Sequence, residues 1–169
     1  MSWEAIAGFS TAVIALCAFV LTIWQGCVMR RHNRLSVRPY LTTWLHSDTA
    51  KHIYAIALLN NGLGPALIKS FRLEVDGRVM IGEGMEPIDK GLKILFSQYQ
   101  YHRSGSFVAK GYMMPAKVSH NLATVQFFGE KVPTPEEVDH AFKKRGKLLI
   151  EYESIYKEKW TLDSSKEGL

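Results

Sequence analysis

Ala5 to Met29 carries no charged side chain across 25 residues. As a helix the stretch would measure roughly 37 Å, enough to cross a hydrocarbon core of about 30 Å with some tilt. It has no polar face to turn toward water, so a core helix of a soluble protein fits it badly. A cleaved signal peptide needs a positive leading region, and Met1 to Glu4 offers only Glu4. Cys27 raises a lipoprotein reading, but the Trp24-Gln25-Gly26 before it puts a bulky indole where a small residue belongs. The stretch reads as a retained membrane span. Trp3 and Trp24 fall near its ends, where amphipathic rings favour the interface.

Charge sets the expected orientation. Arg30, Arg31, Arg34 and Arg38 follow the span, and no Lys or Arg precedes it. The positive-inside rule then puts the C-terminal part in the cytoplasm and the short N-terminus outside. The basic flank would sit against anionic headgroups. The chain has 21 basic and 16 acidic groups; without those four Arg and Glu4, 17 stand against 15. The high isoelectric point is thus largely a membrane-flank signal, and duplex nucleic acid is not an expected partner. Two cysteines, both in the span, exclude a disulfide scaffold and a multi-cysteine zinc module.

Within the span, Gly8, Thr11, Ala15, Ala18 and Thr22 follow a 3, 4, 3, 4 spacing, while bulky Phe9, Leu16, Phe19, Val20 and Ile23 lie off it. Small seams of this kind let membrane helices approach closely. The expectation is self-association through this stripe. A wetted pore in a larger assembly is the sharper alternative, since polar groups in a span often mark pathways. Small residues are also common in membrane helices without any such role.

Beyond the anchor, residues 35–169 read as one domain with no long linker, against residues 1–34 for the span and its flank. Tyr40 to Trp44 reads as a strand and His46 to Lys51 as a polar turn. Ile53 to Asn60 is apolar on both faces and should be central. Leu67 to Asp76 alternates, Asp76-Gly77 is a tight hairpin turn, and Arg78 to Ile81 a short return. Glu86-Pro87 opens a helix with Ile88, Leu92, Leu95 and Phe96 as its apolar stripe, Pro87 suiting the first helical position. Tyr99 to Tyr101, Ser106 to Met113 and Val118 to Phe128 read as further strands. Thr134-Pro135-Glu136-Glu137 is a helix start with a capping box. That helix is expected to end on Lys143, Lys144 and Arg145 with Gly146 as its cap. Lys147 to Glu153 and Lys159 to Leu162 close the domain as a hairpin. The expected class is mainly β, a sandwich with two short helices behind one transmembrane helix.

Asn60-Asn61-Gly62-Leu63-Gly64-Pro65-Ala66, the anchor and the Arg31 to Pro39 stretch together resemble a broad group of uncharacterised bacterial proteins. These carry one N-terminal membrane helix and a small cytosolic immunoglobulin-like domain with an N-x-G-x-G-P-A motif between two strands. The closing Ile150-Glu151-Tyr152 strand and hairpin look similar too. The resemblance implies an immunoglobulin-like fold and a bacterial inner-membrane location. It implies no activity. Read without the family, Gly62 and Gly64 permit positive φ, Pro65 fixes the next turn, and Asn60 and Asn61 can cap freed backbone groups. A phosphate-cradling loop competes, but the Lys-Ser/Thr and helix that should follow are missing.

The six histidines show no zincin spacing, and none pairs with Cys17 or Cys27. His46 and His52 flank one loop and read as exposed. Glu83, Glu86 and Asp89 read as a solvated helix start. No nucleophile-base or metal constellation appears, which points away from an enzyme and from a cofactor. Basic residues do recur beside aromatics, at Lys51-His52, Arg103 and Lys110. If they converged, a nucleotide-like anionic ligand would be plausible; otherwise they are ordinary edge lysines that discourage strand pairing.

The leading expectation is a non-enzymatic, membrane-anchored interaction or sensing module that forms a homo-oligomer through its helix, or pairs with a second membrane protein. The alternatives are a ligand-gated effector of antiviral defence, opened by a cyclic oligonucleotide, whose helices perturb the bilayer, and a membrane-tethered enzyme of unknown type.

Overall fold

The computed structural model of the protein describes residues 2–166. Met1 and residues 167–169 of the expected domains lie outside that range. The chain divides into two compact units, Met1–Ser36 and Val37–Leu169.

The first unit is one helix, α1 (Trp3–Ser36), of 34 residues. Its most apolar stretch has a mean hydropathy of 2.3 and none of it is buried. It is long and apolar enough to cross a membrane. Helical structure does not stop with the apolar residues but runs on through Arg30, Arg31 and Arg34.

The second unit is a mixed α/β domain with two sheets. In chain order its elements are β1 (Leu41–Asp48), β2 (Ile53–Asn60), β3 (Ala66–Val75), β4 (Arg78–Val79), α2 (Glu86–Leu95), β5 (Gln100–Ser104), β6 (Met113–Met114), β7 (Ser119–Phe128), α3 (Pro135–His140), a π-turn (Ala141–Arg145), β8 (Gly146–Glu153) and β9 (Lys159–Asp163). One sheet has the order β1-β2-β7-β5; the other has β4-β3-β8-β9, with β6 also paired to β3. Every pairing is antiparallel.

One cluster of buried side chains draws on both sheets, on α2 and on the α3 segment. Phe96 after α2 meets Phe127 of β7 and Phe142 of the π-turn edge-on, at 5.0 and 5.4 Å between centroids. Such contacts add about 1 kcal/mol each to simple burial. Tyr152 of the second sheet reaches across to the first, its hydroxyl accepting from the Leu41 amide at 3.4 Å.

Four local expectations are corrected. His46, Ser47 and Asp48 are strand, paired with Ala55, Tyr54 and Ile53; β1 is an edge strand, so its outer face tolerates polar groups. The turn begins only at Thr49, and His52 adopts positive φ within it. Ser106 to Met113 is mostly loop, because Gly111 at φ +88° turns the chain and donates to the Ile68 carbonyl at 2.8 Å. Pro87 takes the second helical position, behind Glu86. Gly146 is no left-handed cap: its φ of −92° is extended, and it opens β8 straight out of the π-turn.

Candidate functional site

The helix seam lies on one face of α1. Thr11 Oγ1 donates to the Ala7 carbonyl at 2.9 Å, and Thr22 Oγ1 to the Ala18 carbonyl at 2.8 Å. Each hydroxyl proton is therefore used inside its own helix, and only lone pairs face outward. A Cβ at Gly8 would meet nothing within 4 Å. The stripe thus offers a neighbour close approach rather than donated hydrogen bonds. Trp3 and Trp24 are exposed. Arg30, Arg31 and Arg34 sit on the last turns of α1, whereas Arg38 belongs to the second unit, its guanidinium 5.3 Å over the Trp160 ring.

The Asn60–Ala66 turn holds the segment by which the chain enters the domain. Asn60 is wholly buried. Its Oδ1 accepts from the amides of Tyr40 at 3.2 Å and Gly62 at 3.1 Å. Its Nδ2 faces the carbonyls of Gly64, Pro115 and Met114 at 2.9, 3.1 and 3.3 Å. Asn61 donates through its backbone to Tyr40 and through Nδ2 to Thr42 Oγ1, at 2.7 and 2.8 Å. The reason for the glycines differs from the expected one. Neither Gly62 nor Gly64 has positive φ. A Cβ on Gly62 would overlap the backbone of Arg38 to Tyr40, and one on Gly64 the Val37 carbonyl. These glycines serve backbone packing against the entry segment, and Pro65 leads directly into β3.

The basic residues beside aromatics do not form one cluster. Lys51 and His52 lie in the β1–β2 turn, where Lys51 pairs with Asp48 at 3.6 Å. Arg103 lies on β5 and is engaged by Asp89 of α2 at 2.6 Å. Lys110 lies in the loop before β6, by the start of β3 and so at the other end of the domain from Lys51. Two arrangements escaped the sequence. One is the Arg103–Asp89 pair, whose members are too far apart in the chain to be matched. The other is a 2.6 Å hydrogen bond between Tyr112 and His120 Nε2.

A cavity of about 70 Å³ lies between the sheets and α2. Its walls include Leu45, Ile56, Phe71, Leu73, Leu92 and Phe142, with Thr43, Lys147 and Ser164 as polar members. That chemistry suits an aliphatic group and offers no cradle for phosphate. Several displaced ionisations have structural causes. Asp76 is held below the usual carboxylate range by its hydrogen bond to Arg145. Glu137 is lowered first by the Thr134 amide and then by Tyr99, and Glu86 by Lys90. Among the described residues no group of three His, Cys, Asp or Glu is placed to hold a metal ion. No protein-family model matches the chain, and no curated protein matches it.

Proposed function

We propose that this chain is a non-enzymatic, membrane-anchored interaction or sensing module. In this reading α1 spans a bacterial inner membrane with its N-terminus outside, the domain lies in the cytoplasm, and copies associate through the Gly8–Thr22 seam. The observation that carries it is an apolar helix ending at Ser36 and a compact domain beginning at Val37, with no residue between them. Anchoring confines the domain to a thin layer and raises its effective concentration toward partners in the same membrane. The non-enzymatic part rests on how titratable groups such as Asp76, Glu86 and Glu137 are used, in caps, turns and ion pairs.

An immunoglobulin-like sandwich is the finer fold we propose. Strand order supports it: β1-β2-β7-β5 follows the A-B-E-D order of such domains, and β3-β8-β9 follows C-F-G with β4 beyond C. The cross-sheet bond from Leu41 to Tyr152 supports facing sheets.

Orientation is tested by protease access. Trypsin added to spheroplasts should leave the domain intact, and trypsin added to inverted inner-membrane vesicles should digest it. Digestion in spheroplasts would overturn the cytoplasmic assignment.

A further inference from the structure

Strand direction defines an entry end of the domain. β1 leaves it, β2 returns to it beside Leu41, β7 starts there opposite Leu59, and β8 arrives at Glu153 beside Leu67 of β3. The segments at this end are the entry stretch 37–40, the 61–65 turn, the loops 105–112 and 115–118, and the 154–158 turn. Their ionisable charges are Arg38, Lys110, Lys117 and Lys157 against one acid, Glu158. Large apolar side chains stand out from the same turns: Leu63 is 65% exposed, Ile155 53% and Tyr156 44%.

Two of these lysines are placed at a cost. Lys117 and Lys157 both have φ of +62°, a conformation that Gly or Asn adopts more easily. Lys117 already donates through Nζ to the Asn61 carbonyl at 2.8 Å; at Lys157 the cation kept at a turn position that disfavours it points to a use for the charge. Apolar and aromatic tips ringed by lysine are the composition that settles in the headgroup layer of an anionic bilayer. Each lysine near such a surface contributes attraction that fades within a Debye length. Only residues 37–40 separate Ser36 from β1, and an extended residue covers at most about 3.6 Å.

We infer that the entry end of the domain is a lipid-docking surface. Leu63, Ile155 and Tyr156 dip into the headgroup layer of the membrane that α1 crosses, and Lys110, Lys117 and Lys157 bind its anionic phospholipids. This rests on the proposed membrane span.

The test uses the full chain with Cys17→Ser and Cys27→Ser, reconstituted in nanodiscs of phosphatidylcholine with or without phosphatidylglycerol. A single environment-sensitive label is placed at Ile155→Cys, at Leu16→Cys within α1, or at Thr49→Cys in the turn at the opposite end. Quenching by spin-labelled lipid reads depth. The expected result is strong quenching at 16, clear quenching at 155 that rises several-fold with phosphatidylglycerol, and none at 49. Lys117→Asn and Lys157→Asn suit the turn conformation, the first also giving up the bond to the Asn61 carbonyl; with Lys110→Gln they should abolish the phosphatidylglycerol increment, and Lys157→Asn with Lys110→Gln should already cut it. Quenching at 16 with a label at 155 as exposed as that at 49 would overturn the docking surface alone. A label at 16 that escapes quenching would overturn the span. An increment that survives the three substitutions would overturn the role of the lysines.

Discussion

Asn60 illustrates how much one buried amide can organise. Its Oδ1 accepts from two amides, and the two hydrogens of its Nδ2 are shared among three carbonyls. Asn60→Ala leaves those backbone groups without a partner, a loss of roughly 2–4 kcal/mol, read from denaturation of the full chain in detergent. Asn60→Asp should be at least as damaging, because a carboxylate cannot donate to the carbonyls of Gly64, Met114 and Pro115. Thr134 is a gentler case. Its Oγ1 accepts from the Glu137 amide at 3.2 Å, and Glu137 returns a bond to the Thr134 amide at 2.8 Å. Thr134→Ala should therefore cost only about 1 kcal/mol, by the same measurement.

The hairpin of β3 and β4 was legible before any coordinates. Asp76-Gly77 is a two-residue turn, and both residues take positive φ, +50° and +75°. Arg145 then clamps the turn, its Nε 2.9 Å from Asp76 Oδ1 and its Nη2 2.7 Å from Oδ2. Because Arg145 depresses the Asp76 carboxyl, the pair's stabilisation is fully present above the unfolded carboxylate pKa of about 3.9. It is lost as pH falls through the still lower folded value. Asp76→Asn keeps a side chain that tolerates positive φ. It should lower the melting temperature at pH 7, and the difference from the parent should shrink as pH drops below about 4. The central strand β2 and the α3 capping box were legible for similar reasons, since an apolar run on both faces and a T-x-x-E start are local signals. What stayed illegible depends on partners distant in sequence. The end of β1 is fixed by its pairing to Ile53, not by His46 or Ser47 themselves. The loop from Ser106 is fixed by Ile68, which exchanges hydrogen bonds with Gly111 and Tyr112. Gly62 and Gly64 looked like turn residues, yet what requires them is the backbone of Val37 to Tyr40 lying against them.

For the molecule as a whole, an apolar helix joined without a spacer to a domain of about 130 residues limits what the chain can do. On the proposed reading it acts where lipid is, or on what shares the membrane. The long apolar helix was legible, since an uncharged run of sufficient length needs no tertiary context to be read. The convergence of basic residues was not, because strand order alone decided that Lys51 and Lys110 would sit at opposite ends. Association through α1 is the claim on which the account turns, and the seam makes it specific. With their protons bonded to Ala7 and Ala18, Thr11 and Thr22 would contribute to the proposed association through small size. Thr11→Leu with Thr22→Leu keeps the helix apolar and fills the groove, so it should shift the protein to monomer while leaving it in the membrane. Native mass spectrometry of the full chain, released gently from its own membrane, measures this most directly. The account predicts a discrete homo-oligomer that the double substitution dissociates. A monomeric parent, or a complex with a different protein that survives the substitution, would contradict it.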